Sequence, residues 1–242
     1  TDFFPYRPPY LRQEPPMSAL ARVTNIVQGA LNSGRYSGAI WLEGSPFVEE
    51  TIYWLNLLID TTVPVVGNSS QRPHGPIGND GDRNIVDSVD YISSRIWADE
   101  SGNDCVGAVA ILDEQIFTSR DVQKPDARPG GYVATGGHGG IIGRIGHPGA
   151  PQFSFKTVKR HTHNSLVNTR HLRDRVQDTR MQGSHIGTIA VPIKDGTGKL
   201  LPTAIPKVTL LKHARYLPED TTGNPEQEVD ILARTDRNLR TA

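Results

Sequence analysis

Three short runs, Gly38–Leu42 (GAIWL), Val63–Gly67 (VPVVG) and Val106–Leu112 (VGAVAIL), are apolar at nearly every position rather than at alternate ones, and amphipathic stretches separate them. A strand that is apolar on both faces needs cover on both faces. The sheet that supplies it is parallel, with a helix crossing over each side. The expected fold is therefore α/β: a mainly parallel sheet with helices on both faces. Helical spacing of apolar residues predicts one helix over Met17–Leu31 (Leu20, Val23, Ile26, Val27, Ala30, Leu31) and a second over Pro46–Ile59, with Phe47, Ile52, Trp54, Leu55 and Leu58 facing inward. A third is expected from about Asn84 to Trp97. In such sheets ligands gather at the carboxyl ends of the strands. That rule puts Gly44-Ser45-Pro46, the polar loop that begins at Asn68, and the turn after Leu112 along one edge.

From Ala127 the pattern changes. A glycine-dense run (GGYVATGGHGGIIGRIG) leads to residue 146, and the shorter segments after it predict a β-hairpin-like region. Five prolines in the first 16 residues mark residues 1–17 as an extended arm, leaving 18–205 as the α/β domain and the polar stretch 206–242 as a linker or the remnant of a carboxyl-terminal domain. The 26 basic residues balance the 26 acidic ones, so neither a nucleic acid nor a membrane is the expected partner. A small molecule, or another copy of the chain, is. No run approaches the roughly 18 apolar residues that span a bilayer. The single cysteine, Cys105, fits a reducing, cytoplasmic setting.

Ser45 stands where a strand turns into a helix, a place that exposes a side chain beside the first helical N–H groups. Its local context also makes an ordinary helix start, with Ser45 as N-cap, Pro46 at the first helical position and Glu49-Glu50 in the early turns. The Gly-x-Ser-x-Gly elbow is not present, since Phe47 occupies its last glycine position. Asp82 is the expected cap of the third helix, and Asp80-Gly81 a turn before it. Lys124 becomes a proton acceptor only if a strand edge holds it and tunes its amine. His161-Thr162-His163 has the spacing that lets a strand present both rings on one face, with His171 and His185 nearby. No carboxylate or cysteine recurs with them at a metal-site spacing, so no metal is expected. Gly137, Gly139 and Gly143 do not make the dinucleotide fingerprint, and no cofactor is expected.

Taken in order, three segments resemble the amino-terminal domain of bacterial-type L-asparaginases and related amidohydrolases over roughly residues 18–165. Gly44-Ser45-Pro46-Phe47-Val48-Glu49-Glu50-Thr51 is similar to that family's G-T-D-T-x-E-E-T motif. Pro64-Val65-Val66 through Gln71-Arg72-Pro73, with Asp80-Gly81 and Asn84, is similar to its P-V-V-x-T-G-x-x-R-P and D-G-x-x-N loop. Leu112-Asp113-Glu114-Gln115-Ile116 through Ser119-Arg120-Asp121 and Lys124 is similar to its N-D-x-I-x-x-A-R-x-x-x-K segment.

The resemblance implies amidohydrolase activity on a small linear or cyclic amide, with Ser45 and Lys124 catalytic and Gly44, Pro46, Ser70 and Gln71 at the substrate. It implies a homo-oligomer, or a complex with a second chain, in which a neighbouring subunit completes the site. Two departures matter. The family's motif has an aspartate where this chain has Pro46, which can neither carry charge nor move a proton. Its T-G-G-T strand, which supplies the nucleophilic threonine, does not precede residue 38, and Thr135-Gly136-Gly137-His138 comes after the lysine segment. The implied nucleophile therefore lies outside this chain, or the chain is a non-catalytic subunit or binding module that completes a partner. A third alternative makes Ser45 itself the nucleophile, with Lys124 as its base.

Overall fold

The computed structural model describes residues 1, 2, 4, 17–72, 75, 77–125, 131–134, 140–146, 150–156 and 161–206. They group into two compact units, the larger built on Val23–Leu172 and the smaller on the segment from Arg173 together with residues 17–22, so that the helix over Ala19–Asn32 begins in the smaller unit and runs on in the larger.

The elements through the larger unit are α1 (Ala19–Asn32), β1 (Ala39–Leu42), α2 (Val48–Leu58), β2 (Val65–Asn68), α3 (Gly81–Ser94), β3 (Val109–Leu112), β4 (Gln115–Thr118), β5 (Val122–Gln123), β6 (Val133–Ala134), β7 (Ile141–Arg144) and β8 (Gln152–Phe153). The expected α/β fold forms. β1, β2 and β3 are parallel neighbours, with Ala39 opposite Val65 and Val66 opposite Val109. Beyond β3 the sheet continues antiparallel in the order β1-β2-β3-β4-β7-β8, while β5 and β6 pair as a separate two-stranded ribbon. The β3–β4 turn has Asp113 and Glu114 at φ 51° and 61°. A two-residue hairpin turn with both φ positive matches the twist of the strands it joins. Asn84 Oδ1 accepts the Asp113 N–H at 2.9 Å and ties that turn to α3.

Successive strand residues go to opposite cores, as a period of two requires. Val65, Ala110, Leu112 and Phe117 pack with Val48, Ile52, Leu55 and Ile59 and with Val23 and Leu31 of α1. Val66, Val109, Ile111 and Ile116 pack on the other face with Tyr91, Trp97, Ile142 and Ile145. The helices thus cover both faces. Gly67 marks how closely α2 lies on β2, since a Cβ there would stand 2.9 Å from the Cβ of Ile52.

Two helix starts differ from expectation. α2 begins at Val48, and its N-cap is Phe47 with no side-chain cap bond, so Ser45 is not the cap and Pro46 is not the first helical residue. The chain makes a tight turn at Pro46 and Phe47, whose carbonyls accept the N–H of Glu49 and Glu50, both at 3.1 Å. α3 begins at Gly81 with Asp80 as N-cap, which places Asp82 inside the first turn rather than at the cap. It stops at Ser94, before Trp97, because Arg95 takes a left-handed conformation at φ 57°. Among the described residues no helix is long and apolar enough to cross a membrane.

In the smaller unit β9 (Arg175–Gln182) and β10 (His185–Pro192) pair antiparallel along their whole length. Gly183, at φ 64°, takes the first turn position, where glycine meets no steric penalty. This is the hairpin-like region that follows the sheet. The residues assigned to the arm lie mostly outside the described residues, as do 207–242.

Candidate functional site

Because β1, β2 and β3 run parallel, their carboxyl ends share one edge, and the chain leaves that edge as Glu43-Gly44-Ser45, Ser69-Ser70 and Asp113. Ser45 is half-buried there, and its hydroxyl is engaged by a partner other than a helix end. Tyr132 Oη donates to Ser45 Oγ at 2.6 Å and is also 3.2 Å from Ser69 Oγ. A phenol has one proton, and Tyr132 gives it to Ser45, so Ser69 is the donor in the second bond. The three hydroxyls form a one-directional chain, Ser69 to Tyr132 to Ser45, in which each bond polarises the next. Tyr132 is buried at 3% exposure. Burial pushes its phenol above the ordinary tyrosine value, the bonds with Ser45 and Ser69 oppose that, and the fields of Glu49 and Asp80 add to it. The group therefore stays a protonated donor across the neutral range.

Lys124 and Tyr132 adjoin the β5–β6 ribbon, in which Val122 pairs with Ala134 and Gln123 with Val133. Alternate residues of a strand turn to opposite faces. Burial follows that alternation: Val122 and Tyr132 are buried, Gln123 and Val133 exposed, and Lys124 half-buried. The Lys124 backbone N–H donates to Glu49 Oε2 at 2.7 Å, which anchors the ribbon to the first turn of α2, one turn beyond Ser45. Sequence spacing separates Ser45 from Lys124 by the whole βαβ unit; the bond to Glu49 brings the Lys124 backbone to the start of α2. The sequence reading missed Tyr132, whose only signal was a lone hydroxyl-bearing aromatic within a glycine-rich run.

Ser70 and Gln71 reach the same edge, and both are held by Asp80. Its carboxylate accepts from Ser70 Oγ at 3.0 Å and from the backbone N–H of Gln71 and Arg72 at 3.1 and 2.9 Å. Burial works to raise the Asp80 carboxyl, but the Gln71 and Arg72 N–H groups and the Ser70 hydroxyl outweigh it, and the net direction is down. Asp80 is thus a fixed anion that shapes the loop after β2. Gly44 and Pro46 flank Ser45 at the surface.

The histidines fall elsewhere. His161 to His163 do not form a strand; residues Thr162–Asn164 make a short 3-10 turn, so the rings are not presented side by side on a sheet face. His163 Nδ1 lies 3.2 Å from the carbonyl of Thr61, a bond that ties the turn to the chain after α2, and His171 Nδ1 lies 2.8 Å from the carbonyl of Ser165 within its own segment. Among the described residues no three potential ligands gather for a metal.

A family model described as the asparaginase amino-terminal domain matches residues 16–139. The chain is 28% identical over 169 residues to a glutaminase-asparaginase of Acinetobacter glutaminasificans, covering 69% of this chain and 45% of that protein. It is 33% identical over 108 residues to an L-asparaginase of Bacillus licheniformis, covering 45% of this chain and 32% of that one. The chain thus spans less than half the length of these relatives. Its fold is similar to the crystal structure of a probable cytoplasmic L-asparaginase from Campylobacter jejuni, with a TM-score of 0.52 at 23% identity over 62% of this chain and 46% of that one.

Proposed function

The chain belongs to the asparaginase family through its amino-terminal domain, and from that premise we propose that it is an amidohydrolase, splitting a small linear or cyclic amide with water into a carboxylate and an amine or ammonia. Ser45 and Lys124 are its proton-moving pair: the Ser45 hydroxyl sits at the reacting edge, and the Lys124 amine takes the proton released as the attacking oxygen bonds to the carbonyl carbon. The observation that supports the reading is the Ser45 hydroxyl at the carboxyl edge of the sheet, bonded by Tyr132 and not spent on capping α2, with the Lys124 backbone tied to Glu49 in the first turn of that helix. Gly44, Ser70 and Gln71 line the approach, and Asp80 keeps the last two in position. Pro46 bears no carboxylate for a substrate ammonium, which favours an amide recognised by its carbonyl and side chain over a free α-amino acid amide. The active form is an oligomer, of this chain or with a second chain, whose neighbouring subunit closes the open side of the site.

The test is release of ammonia or amine from a panel of linear and cyclic amides, using the native assembly with any preceding sequence and any partner chain present. Wild type turns over at least one of them, and Ser45→Ala and Lys124→Met each lose 100-fold or more, about the scale of a lost general acid–base group. Full activity in Ser45→Ala removes the reading. Turnover of no amide at all leaves the chain as a non-catalytic subunit that completes a partner.

A further inference from the structure

We infer that Tyr132 is a positioning residue for the reaction, one that orients the Ser45 hydroxyl and stabilises the negative charge that builds on it. The inference rests on the proposed role of Ser45 and extends it. Ser45 Oγ accepts one strong bond, from Tyr132 Oη at 2.6 Å. That bond occupies one lone pair and leaves the hydroxyl's own proton available to a base, the role proposed for Lys124. As the proton passes from Ser45 Oγ to the Lys124 amine, the neutral bond between Tyr132 and Ser45 becomes a bond from a phenol to an oxyanion. Charge-assisted bonds of this kind are shorter and about twice as strong as neutral ones. The stabilisation is therefore larger in the charged state than in the resting state, the condition under which a contact raises rate and not merely affinity.

Three features preorganise the donor. The Tyr132 ring is packed in the core with Val48, Ile52 and Val122, so it does not swing away. Ser69, itself 7% exposed, donates to Tyr132 Oη and makes its proton a better donor. The Ser69 carbonyl in turn accepts Asn84 Nδ2 at 2.8 Å, which fixes Ser69 to α3.

The experiment compares Tyr132→Phe, Ser69→Ala and Ser45→Ala in the native assembly, measuring kcat and KM on an amide the wild type hydrolyses, with Tm as a check on the fold. Tyr132→Phe keeps the ring and removes only the hydroxyl. The expected result is a fall in kcat of about 10- to 100-fold, the range for losing a hydrogen bond to a charged group, with KM within about twofold and little change in Tm. Ser69→Ala is expected to lower kcat by less. Wild-type kcat in Tyr132→Phe overturns the inference, as does a fall in kcat that is matched by a fall in Tm, which would assign Tyr132 to packing. Retained activity in Ser45→Ala instead overturns the reading beneath it. The contact has a readout that needs no substrate: the phenol titration of Tyr132, taken as the difference between wild type and Tyr132→Phe, should change in the Ser45→Ala background, and an unchanged titration also overturns the inference.

Discussion

The two helices that lie against β2 bury opposite kinds of surface. α2 packs Val48, Ile52 and Leu55 into the sheet's core and buries Thr51 and Asn56 beside them, Asn56 Oδ1 accepting the Ala108 N–H at 2.9 Å. α3 turns Asn84, Asp87, Ser88 and Tyr91 inward, and leaves Ile85, Val86 and Val89 at 37%, 51% and 49% exposure. α2 is held mainly by the area it removes from water, which is non-directional. α3 is held by directed bonds. Asn68 Nδ2 donates to Ser88 Oγ at 2.7 Å and to the Ile111 carbonyl at 3.1 Å, while Asn84 grips the Ser69 carbonyl and the Asp113 N–H. Asp87 and Arg83 make an ion pair at 2.7 Å. The lesson is a division of labour. Apolar packing sets how far α2 stands from the sheet, whereas the polar face of α3 fixes the loops at the carboxyl ends of β2 and β3, where Ser69 helps aim Tyr132.

That contrast can be broken by substitution. Ile52→Ala should cost most, about 3–4 kcal/mol in denaturant unfolding, because it opens a cavity under α2 where Gly67 leaves no side chain to fill it. Asn84→Ala should cost about 2 kcal/mol by leaving the Asp113 N–H and the Ser69 carbonyl short of a partner. It should also lower kcat, which Ile52→Ala should do only as far as it unfolds the protein; equal loss of kcat per unit stability in the two variants would dissolve the distinction. Asp80→Asn probes the pH dependence of the loop beside α3. The folded-state carboxyl of Asp80 is held below its ordinary value of 3.8, so the stability it lends is complete above that value and is lost as pH falls through the lowered one. Tm measured against pH should therefore fall less steeply on the acid side in Asp80→Asn, and an unchanged acid slope would count against the assignment. Val86→Thr, on the outward face of α3, should change stability by less than about 0.5 kcal/mol. A cost above 1 kcal/mol there would mean that the face is covered in the native assembly.

Much of the larger unit was legible because its strands are apolar on both faces. GAIWL and VGAVAIL call for a sheet covered on both faces, and the position of Ser45 at the carboxyl edge follows from the parallel order of β1, β2 and β3. The starts of α2 and α3 were misplaced for one physical reason. Serine and aspartate are good caps in isolation, but the hydroxyl of Ser45 is bonded to Tyr132, and the bonds that fold the loop after β2 onto Asp80 start α3 at Gly81, with the N-cap at Asp80 rather than Asp82. The hairpin turn at Asp113-Glu114 had no Asn-Gly signal, and it is α3, through Asn84, that holds it. The H-x-H motif resembled a strand by spacing, yet its backbone is drawn into a 3-10 turn by bonds to Thr61.

By itself the sequence determined the fold class, the edge on which chemistry would gather, and the family, because hydrophobic runs and motif order are properties of neighbours along the chain. Tertiary structure decided which face of α3 is inside, which hydroxyl meets Ser45, and that the Lys124 backbone is tied to Glu49. Those depend on pairings across tens of residues, where a single step of register, not local propensity, determines what a side chain touches.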